Sequence, residues 1–567
     1  MRTRAGALTA AAVALAAVAA LPVVAIVARG IAPEGGATWT HLASTVLPDY
    51  LANTLLLVVA VGLGAGIGGT ATAWLVAQRR FPGSRVFEWA LLLPLAMPAY
   101  VMAYAYTDFL QYAGPVQSLL RESFGWSRGD YWFPDVRTVG GAAVMFVFTL
   151  YPYVYLLART AFVERSPALV EAARTLGLNR RQAFWRIEFP LARPAVAGGV
   201  ALALMETLAD YGTVAYFAVD TFTTGIYRAW FSLGDHTAAA QLAASLLGFV
   251  LLALALERFS RRAARVTSSP RGRTTSSAAK PRLSGAQGAA AWLACAIPLA
   301  VGFAIPLLLL VRLIVADPET VDLARFGGWA WNSMRVAGIA AVVCVALSIL
   351  VAYAGRISPG PLTRASSRLL ALGYAVPGTV LAVGVMLPVS ALDRALADAW
   401  RASTGTSAGL LLTGTVFALV YAYVVRYFAV AWNGIEPGFA RITPAMDAAA
   451  RILGAGTVET LLRVHAPLLA RSSAAAALLV FVDVMKELPA TLLMRPFNFD
   501  TLATQAYQLA RDERLAEAAL PSLAIVVAGL APIMFLARAA LRVQASPDGK
   551  MREPHGAARA PESGEAA

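Results

Sequence analysis

Five charged residues stand where charge is expensive, inside two long apolar stretches. METLADYG carries Glu206 and Asp210 with Tyr211 beside them, and FVDVMKELP carries Asp483, Lys486 and Glu487. At a constant offset of 277 residues, Glu206 corresponds to Asp483 and Asp210 to Glu487. An ionised side chain in the hydrocarbon core costs roughly 2.5–3.5 kcal/mol on insertion scales, so such groups face a bundle interior or a water-filled path. Asp483 and Lys486 are three apart and share a helical face, which fits an ion pair that locks the two halves together. The four carboxylates equally fit gating contacts, or a path for a hard cation, which prefers oxygen ligands.

A second repeated pattern lies in polar loops of the same two regions. Residues 171–190 read EAARTLGLNRRQAFWRIEFP and residues 448–467 read AAARILGAGTVETLLRVHAP. Each has an Ala-rich triplet (Glu171, Ala172 and Ala173; Ala448, Ala449 and Ala450), then Gly177 or Gly454, then an aliphatic residue three before Pro190 or Pro467. Ser166-Pro167 and Thr443-Pro444 precede them. Each reads as an N-cap followed by Pro at the first helical position, with the Gly ending the helix in a left-handed turn. A helix of about ten residues is marginal alone in water and needs something to pack against. Its small face suits close approach by a partner. The second copy departs from the first: Ala448 replaces the Glu, and Asp447 sits one place early.

The elements that must position these residues are membrane spans. The chain has 567 residues, 58% of them hydrophobic and only 14% charged, and its mean hydropathy is +0.63. Average soluble proteins are about 25% charged. Apolar runs of the length needed to cross roughly 30 Å of hydrocarbon centre near 7–28, 52–77, 88–112, 139–158, 191–213 and 238–256. A second set centres near 289–315, 333–354, 369–391, 410–432, 469–494 and 519–537. The fold class expected is an all-α polytopic membrane protein of about 12 transmembrane helices, two tandem six-helix halves. The first run resembles a signal peptide at its start but is longer than the usual apolar core of about 7–15 residues, and reads as an uncleaved span.

The spacing divides the chain into a first half over 1–258, a linker over 259–288, a second half over 289–540 and a disordered tail over 541–567. Asn53 and Asn332, like Pro98 and Pro377, are 279 residues apart. An even number of spans per half makes a parallel repeat. The net charge of +14 is a topology signal, because Arg79, Arg80, Arg85, Arg159, Arg174, Arg180, Arg181 and Arg186 collect in alternate loops. By the positive-inside rule both termini are cytoplasmic, and no nucleic-acid partner is expected. Val219–Ala243 and Asn498–Leu520 then fall outside, as solvated connections or as seats for an external partner. Trp126, Tyr131 and Trp132 read as an interfacial aromatic belt. Cys295 and Cys344 both lie in apolar runs, so neither a disulfide framework nor a metal site is expected. The lysines are Lys280, Lys486 and Lys550, and none sits in a GxxxxGK[ST] pattern, so a phosphate-cradling loop is missing.

The paired loops resemble the EAA loops of binding-protein-dependent ABC importer permeases. LADYGTVAYFAVDTFTTGIYRAWFSLGD and DVMKELPATLLMRPFNFDTLATQAYQLARDERLAEAALPSLAIV resemble the ferric-iron branch, in which two permease halves of the type I importer kind are fused. The resemblance implies that the loop over 166–190 and the loop over 443–467 dock into two copies of a cytoplasmic ABC ATPase. It further implies that a periplasmic binding protein delivers Fe(III), and that ATP is used by the partner while no cofactor is held by this chain. Fused permeases for thiamine share the plan. A gradient-driven secondary carrier with twelve spans has no need of the paired loops.

Overall fold

The computed structural model describes residues 2–31, 36–164, 175–264, 280–320, 322–407 and 409–544. The elements are helices, and among the described residues the one β-bridge is an isolated pairing of Arg80 with Arg282. Among the described residues, eleven helices are long and apolar enough to cross a membrane. The pair Ser84–Ala96 and Ala99–Phe124, bent by 89°, is a broken span or a re-entrant loop, and makes a twelfth span if counted as one.

The break in that pair is dictated locally. Pro98 disfavours helical geometry at the residue before it, and Met97 is extended (φ −94°, ψ 106°). The second half repeats the device, with Val376 extended (φ −79°, ψ 120°) before Pro377 and the helix Gly378–Thr404.

In the first half, Leu47–Gln78, Val139–Glu164 and Phe189–Ala209 pack on one another. Association between spans depends on small residues that let backbones approach. At Gly69 a methyl group would lie 2.6 Å from Val154 Cβ, and at Gly199 one would lie 2.5 Å from Val154 Cα. Leu323–Ile357, Val416–Ala440 and Ala466–Met485 form the matching trio in the second half. Asn53 Nδ2 donates to the Asp220 carbonyl at 2.9 Å, and Asn332 Nδ2 donates to the Asp500 carbonyl at 3.0 Å.

The two trios are interlocked. The helix Arg2–Gly30 packs against Leu323–Ile357, Pro361–Leu370 and Gly378–Thr404 of the second half, and Tyr421 donates to the Val18 carbonyl at 2.5 Å. Reciprocally, Gly285–Leu299 and Ile305–Ala316 pack on Leu47–Gln78 and Ala99–Leu110, with Tyr106 donating to the Val301 carbonyl at 2.8 Å. Only the two ends of the expected linker are described. At its far end, Lys280 Nζ donates to the Val76 carbonyl at 3.1 Å and lies 3.8 Å from Glu88.

Val219–Ala243 and Asn498–Leu520 are not simple solvated connections. Each folds back into the bundle as a short helix, Phe222–Tyr227 or Leu502–Arg511, started by a Thr capping box. Phe222, Ile226, Leu502, Ala503 and Tyr507 are buried. The reason is local: the Thr224 and Thr504 hydroxyls accept the Thr221 and Thr501 N–H groups at 2.8 and 2.9 Å, and Thr501 Oγ1 accepts the Thr504 N–H at 3.3 Å, so these polar helix starts can enter the core. Cys295 and Cys344 are free and buried.

Candidate functional site

The repeated carboxylates terminate two spans. Phe189–Ala209 stops at Asp210, whose backbone is extended (φ −70°, ψ 137°). Asp210 Oδ1 then accepts the Thr213 N–H at 2.8 Å, and Oδ2 accepts the Thr213 hydroxyl at 3.2 Å, which starts the short helix Gly212–Tyr216. Glu487 does the same after Ala466–Met485. Its Oε1 accepts the Ala490 N–H at 3.0 Å and its Oε2 accepts the Thr491 N–H at 3.0 Å, at the start of Pro489–Met494. The first N–H groups of a helix lack partners in their own helix, so a carboxylate there offsets the cost of its burial.

Between these ends lies a cavity of about 110 Å³. Glu206, Asp210, Asp483, Lys486 and Glu487 all line it, so the structure brings together five of the six residues read as a pathway. Tyr211 is not on its wall. It is buried against Tyr227, with ring centroids 4.5 Å apart, and Tyr507 at 5.8 Å. Because Asp210 is extended, the following side chain leaves on the other side.

The charges around the cavity are partly paired. Lys486 Nζ is 2.9 Å from Asp483. Arg426 Nη1 is 3.4 Å from Glu487 Oε1, and both side chains are buried. Glu206 accepts the Tyr374 hydroxyl at 2.6 Å. Four carboxylates thus face two cations on one wall. Among the described residues, no group of three or more His, Cys, Asp or Glu could hold a metal ion.

Sequence reasoning missed Arg426, Tyr153, Tyr374 and Tyr427 on this wall. Arg426 was legible as the single charge in VFALVYAYVVRYFAVAW; the tyrosines carry no signal that separates them from ordinary span residues. Gly378 makes room for the pair, since a methyl group there would lie 2.3 Å from Arg426 Nη1 and 2.7 Å from Glu487 Oε1.

The loop motif is described fully in its second copy. Pro444–Ile452 is a helix entered from an extended Thr443, although the Thr443 side chain makes no capping bond. Ala448 and Ala449 are exposed while Ala450 is buried. Gly454 has φ +82° and Gly177 has φ +83°, the left-handed region that glycine enters without penalty. Glu171, Ala172 and Ala173, with Ser166 and Pro167, lie outside the described residues. Pro190 and Pro467 each follow a π-helical turn, Phe184–Glu188 or Leu461–His465, and open the next span.

Behind the second loop, Asp447 is held by Arg356 Nε and His465 Nε2, both at 2.6 Å. Burial pushes the Asp447 carboxyl up, but the hydrogen bonds and charges of Arg356 and His465 outweigh it and hold the group below the usual carboxylate range. At the positions matching Tyr353 and His465, the first half has Trp74 and Glu188, with Trp74 Nε1 donating to Glu188 at 2.6 Å.

Residues 67–265 match the family described as the inner membrane component of binding-protein-dependent transport systems. Over these residues, about a third of the chain, it is similar to the binding-protein-dependent transport permeases. It is 25% identical over 498 residues to an Fe(3+)-transport system permease protein of Haemophilus influenzae, covering 88% of this chain and 91% of that one. It is 25% identical over 492 residues to a ferric transport system permease protein of Actinobacillus pleuropneumoniae, covering 82% of this chain and 66% of that one. It is also 31% identical over 198 residues to a probable sulfate transport system permease protein of Chlorokybus atmophyticus, covering 35% of this chain and 66% of that one. A permease of this family is a multi-pass inner-membrane transport subunit, which agrees with the eleven helices and one bent pair able to cross a bilayer.

Proposed function

We propose that this permease moves ferric iron from the periplasm to the cytoplasm, with ATP hydrolysed on a separate subunit. The observation that carries the reading is the likeness to an iron(III) permease along nearly the whole of both chains. The cavity supports it: four carboxylates against two cations make a wall that attracts a hard cation.

Two copies of a cytoplasmic ABC ATPase engage the loops over 166–190 and 443–467, and a periplasmic iron-binding protein delivers the ion from the opposite side. The exposed apolar side chains around the second loop support the docking. Ile452 and Leu453 are 85% and 86% exposed, with Met446, Val458 and Leu462 nearby. Such a patch marks a surface that another protein covers. The basic loops support a cytoplasmic position for both termini. The chain divides into halves over 1–258 and 289–540 joined by the linker 259–288, with a tail over 541–567. ATP belongs to the partner, and this chain holds no permanent cofactor.

The test is ATP-driven uptake of labelled Fe(III) into proteoliposomes containing the permease, its ATPase and its binding protein, each omitted in turn. Uptake that needs all three supports the reading. ATP-dependent uptake of thiamine or sulfate in place of iron overturns the cargo and keeps the class. Uptake that follows a proton gradient and ignores the ATPase overturns the class.

A further inference from the structure

The four carboxylates of the cavity are not equivalent. Asp483 is paired with Lys486. Glu487 accepts two backbone N–H groups and the Thr491 hydroxyl and faces Arg426. Asp210 holds the start of the next helix through Thr213. Among the described residues, Glu206 accepts a single hydrogen bond, from the neutral Tyr374 hydroxyl. It therefore has fewer hydrogen-bond partners than Asp210 and Glu487, and Lys486 and Arg426 act on it only through space.

Tyr374 comes from the other half. It lies in the turn Gly373–Ala375, directly ahead of the break at Pro377, while Glu206 is on the span Phe189–Ala209. A rigid shift of one half against the other separates the pair. Breaking it costs one neutral donor, far less than removing a cation from Asp483 or Glu487. From Phe189, where the loop motif runs into the span, to Glu206 is about 25 Å along the helix at 1.5 Å per residue. One continuous helix therefore connects the loop to this contact.

We infer that Glu206 is the carboxylate that meets the cargo, and that the Tyr374 hydroxyl is the latch that covers it until the halves move apart. The inference rests on the reading of the protein as a cation importer. In the closed state the phenol occupies the oxygen that a passing cation takes in the open one. The remaining three carboxylates hold the architecture of the wall.

The experiment has two arms, run on the full chain assembled with its ATPase and binding protein. In the first, Glu206→Gln is compared with the parent and with Glu206→Asp for Fe(III) uptake and for ATP hydrolysis. The expectation is a loss of uptake of more than about tenfold with Glu206→Gln, partial recovery with Glu206→Asp, and ATP hydrolysis retained in both. In the second, Glu206→Cys and Tyr374→Cys are combined with Cys295→Ala and Cys344→Ala, and bridging by a bifunctional thiol reagent, long enough to replace the two side chains that meet at their tips, is followed with and without trapped ATP. Cross-linking is expected in the resting state and is expected to fall when ATP is trapped.

Equal cross-linking in both states overturns the latch, and uptake at the parental rate by Glu206→Gln overturns the cargo contact. If the parent complex carries an anion and not iron, the cation reading fails and takes the cargo contact with it, while the cross-linking arm still decides the latch.

Discussion

Asp447 accepts Arg356 Nε at 2.6 Å, a contact that ties the second loop helix to the end of the span Leu323–Ile357. The same guanidinium donates to the Phe439 and Ile442 carbonyls at 3.1 and 2.8 Å. His465, with 0% exposure, closes the network from the π-helical turn. A helix of nine residues cannot hold itself in place, so this network makes it a rigid extension of two spans.

Asp447→Ala leaves Arg356 and His465 without their acceptor. The expected cost is about 1–3 kcal/mol, typical of leaving part-buried hydrogen-bonding groups without a partner, read as a lower unfolding temperature in detergent. ATP hydrolysis then runs without proportionate uptake. The pH dependence has a definite sign. The folded-state carboxyl of Asp447 is depressed, so its contribution is fully present above the unfolded value of about 3.9. It is lost as pH falls through the folded value. The stability gap between the parent and Asp447→Asn should therefore narrow as pH falls below about 4. A gap that widens on acidification contradicts this assignment.

Gly378→Ala drives a methyl group into the Arg426–Glu487 pair, where it would sit 2.3 Å from Arg426 Nη1. Overpacking of this kind costs about 1–3 kcal/mol. Loss of uptake together with a lower unfolding temperature is expected. Unchanged behaviour in both assays would show that the guanidinium relocates without consequence.

Leu453→Glu changes a side chain that is 86% exposed. Substitutions at such sites shift stability by no more than about 0.5 kcal/mol. The unfolding temperature should hold while co-purification of the ATPase is lost. Retained co-purification would remove the second loop from the docking surface.

Asn53→Ala and Asn332→Ala should behave alike, because each removes the donor to one carbonyl, that of Asp220 or Asp500. Leaving a part-buried carbonyl unsatisfied costs about 1–3 kcal/mol. Comparable drops in unfolding temperature are expected, and a large effect in one half alone would show that the repeat is unequal in energy.

Much of the fold was legible because its signals are local or periodic. Length and hydropathy marked the spans, since a bilayer demands about 20 apolar residues in a row. The turns at Gly177 and Gly454 follow from backbone sterics of single residues, while Pro98 and Pro377, legible only as markers of the repeat, break their helices in the structure. The buried carboxylates stood out because hydrocarbon makes them costly. Less legible were Val219–Ala243 and Asn498–Leu520. Their mixture of Thr, Tyr, Arg and Asp reads as solvated, yet capping boxes let them fold inward.

The sequence by itself determined which residues are expensive to bury, where the chain repeats, and hence that two half-bundles enclose a charged interior. It could not say which charge is paired with what. That Tyr374 covers Glu206, that Arg426 faces Glu487 and that Tyr211 leaves the wall for Tyr227 depend on how elements far apart in the chain cross. A side chain's partner across a bundle is set by helix rotation and by the reciprocal packing of Arg2–Gly30 and Gly285–Leu299 onto the opposite halves. Those are properties of three-dimensional packing that no local pattern encodes.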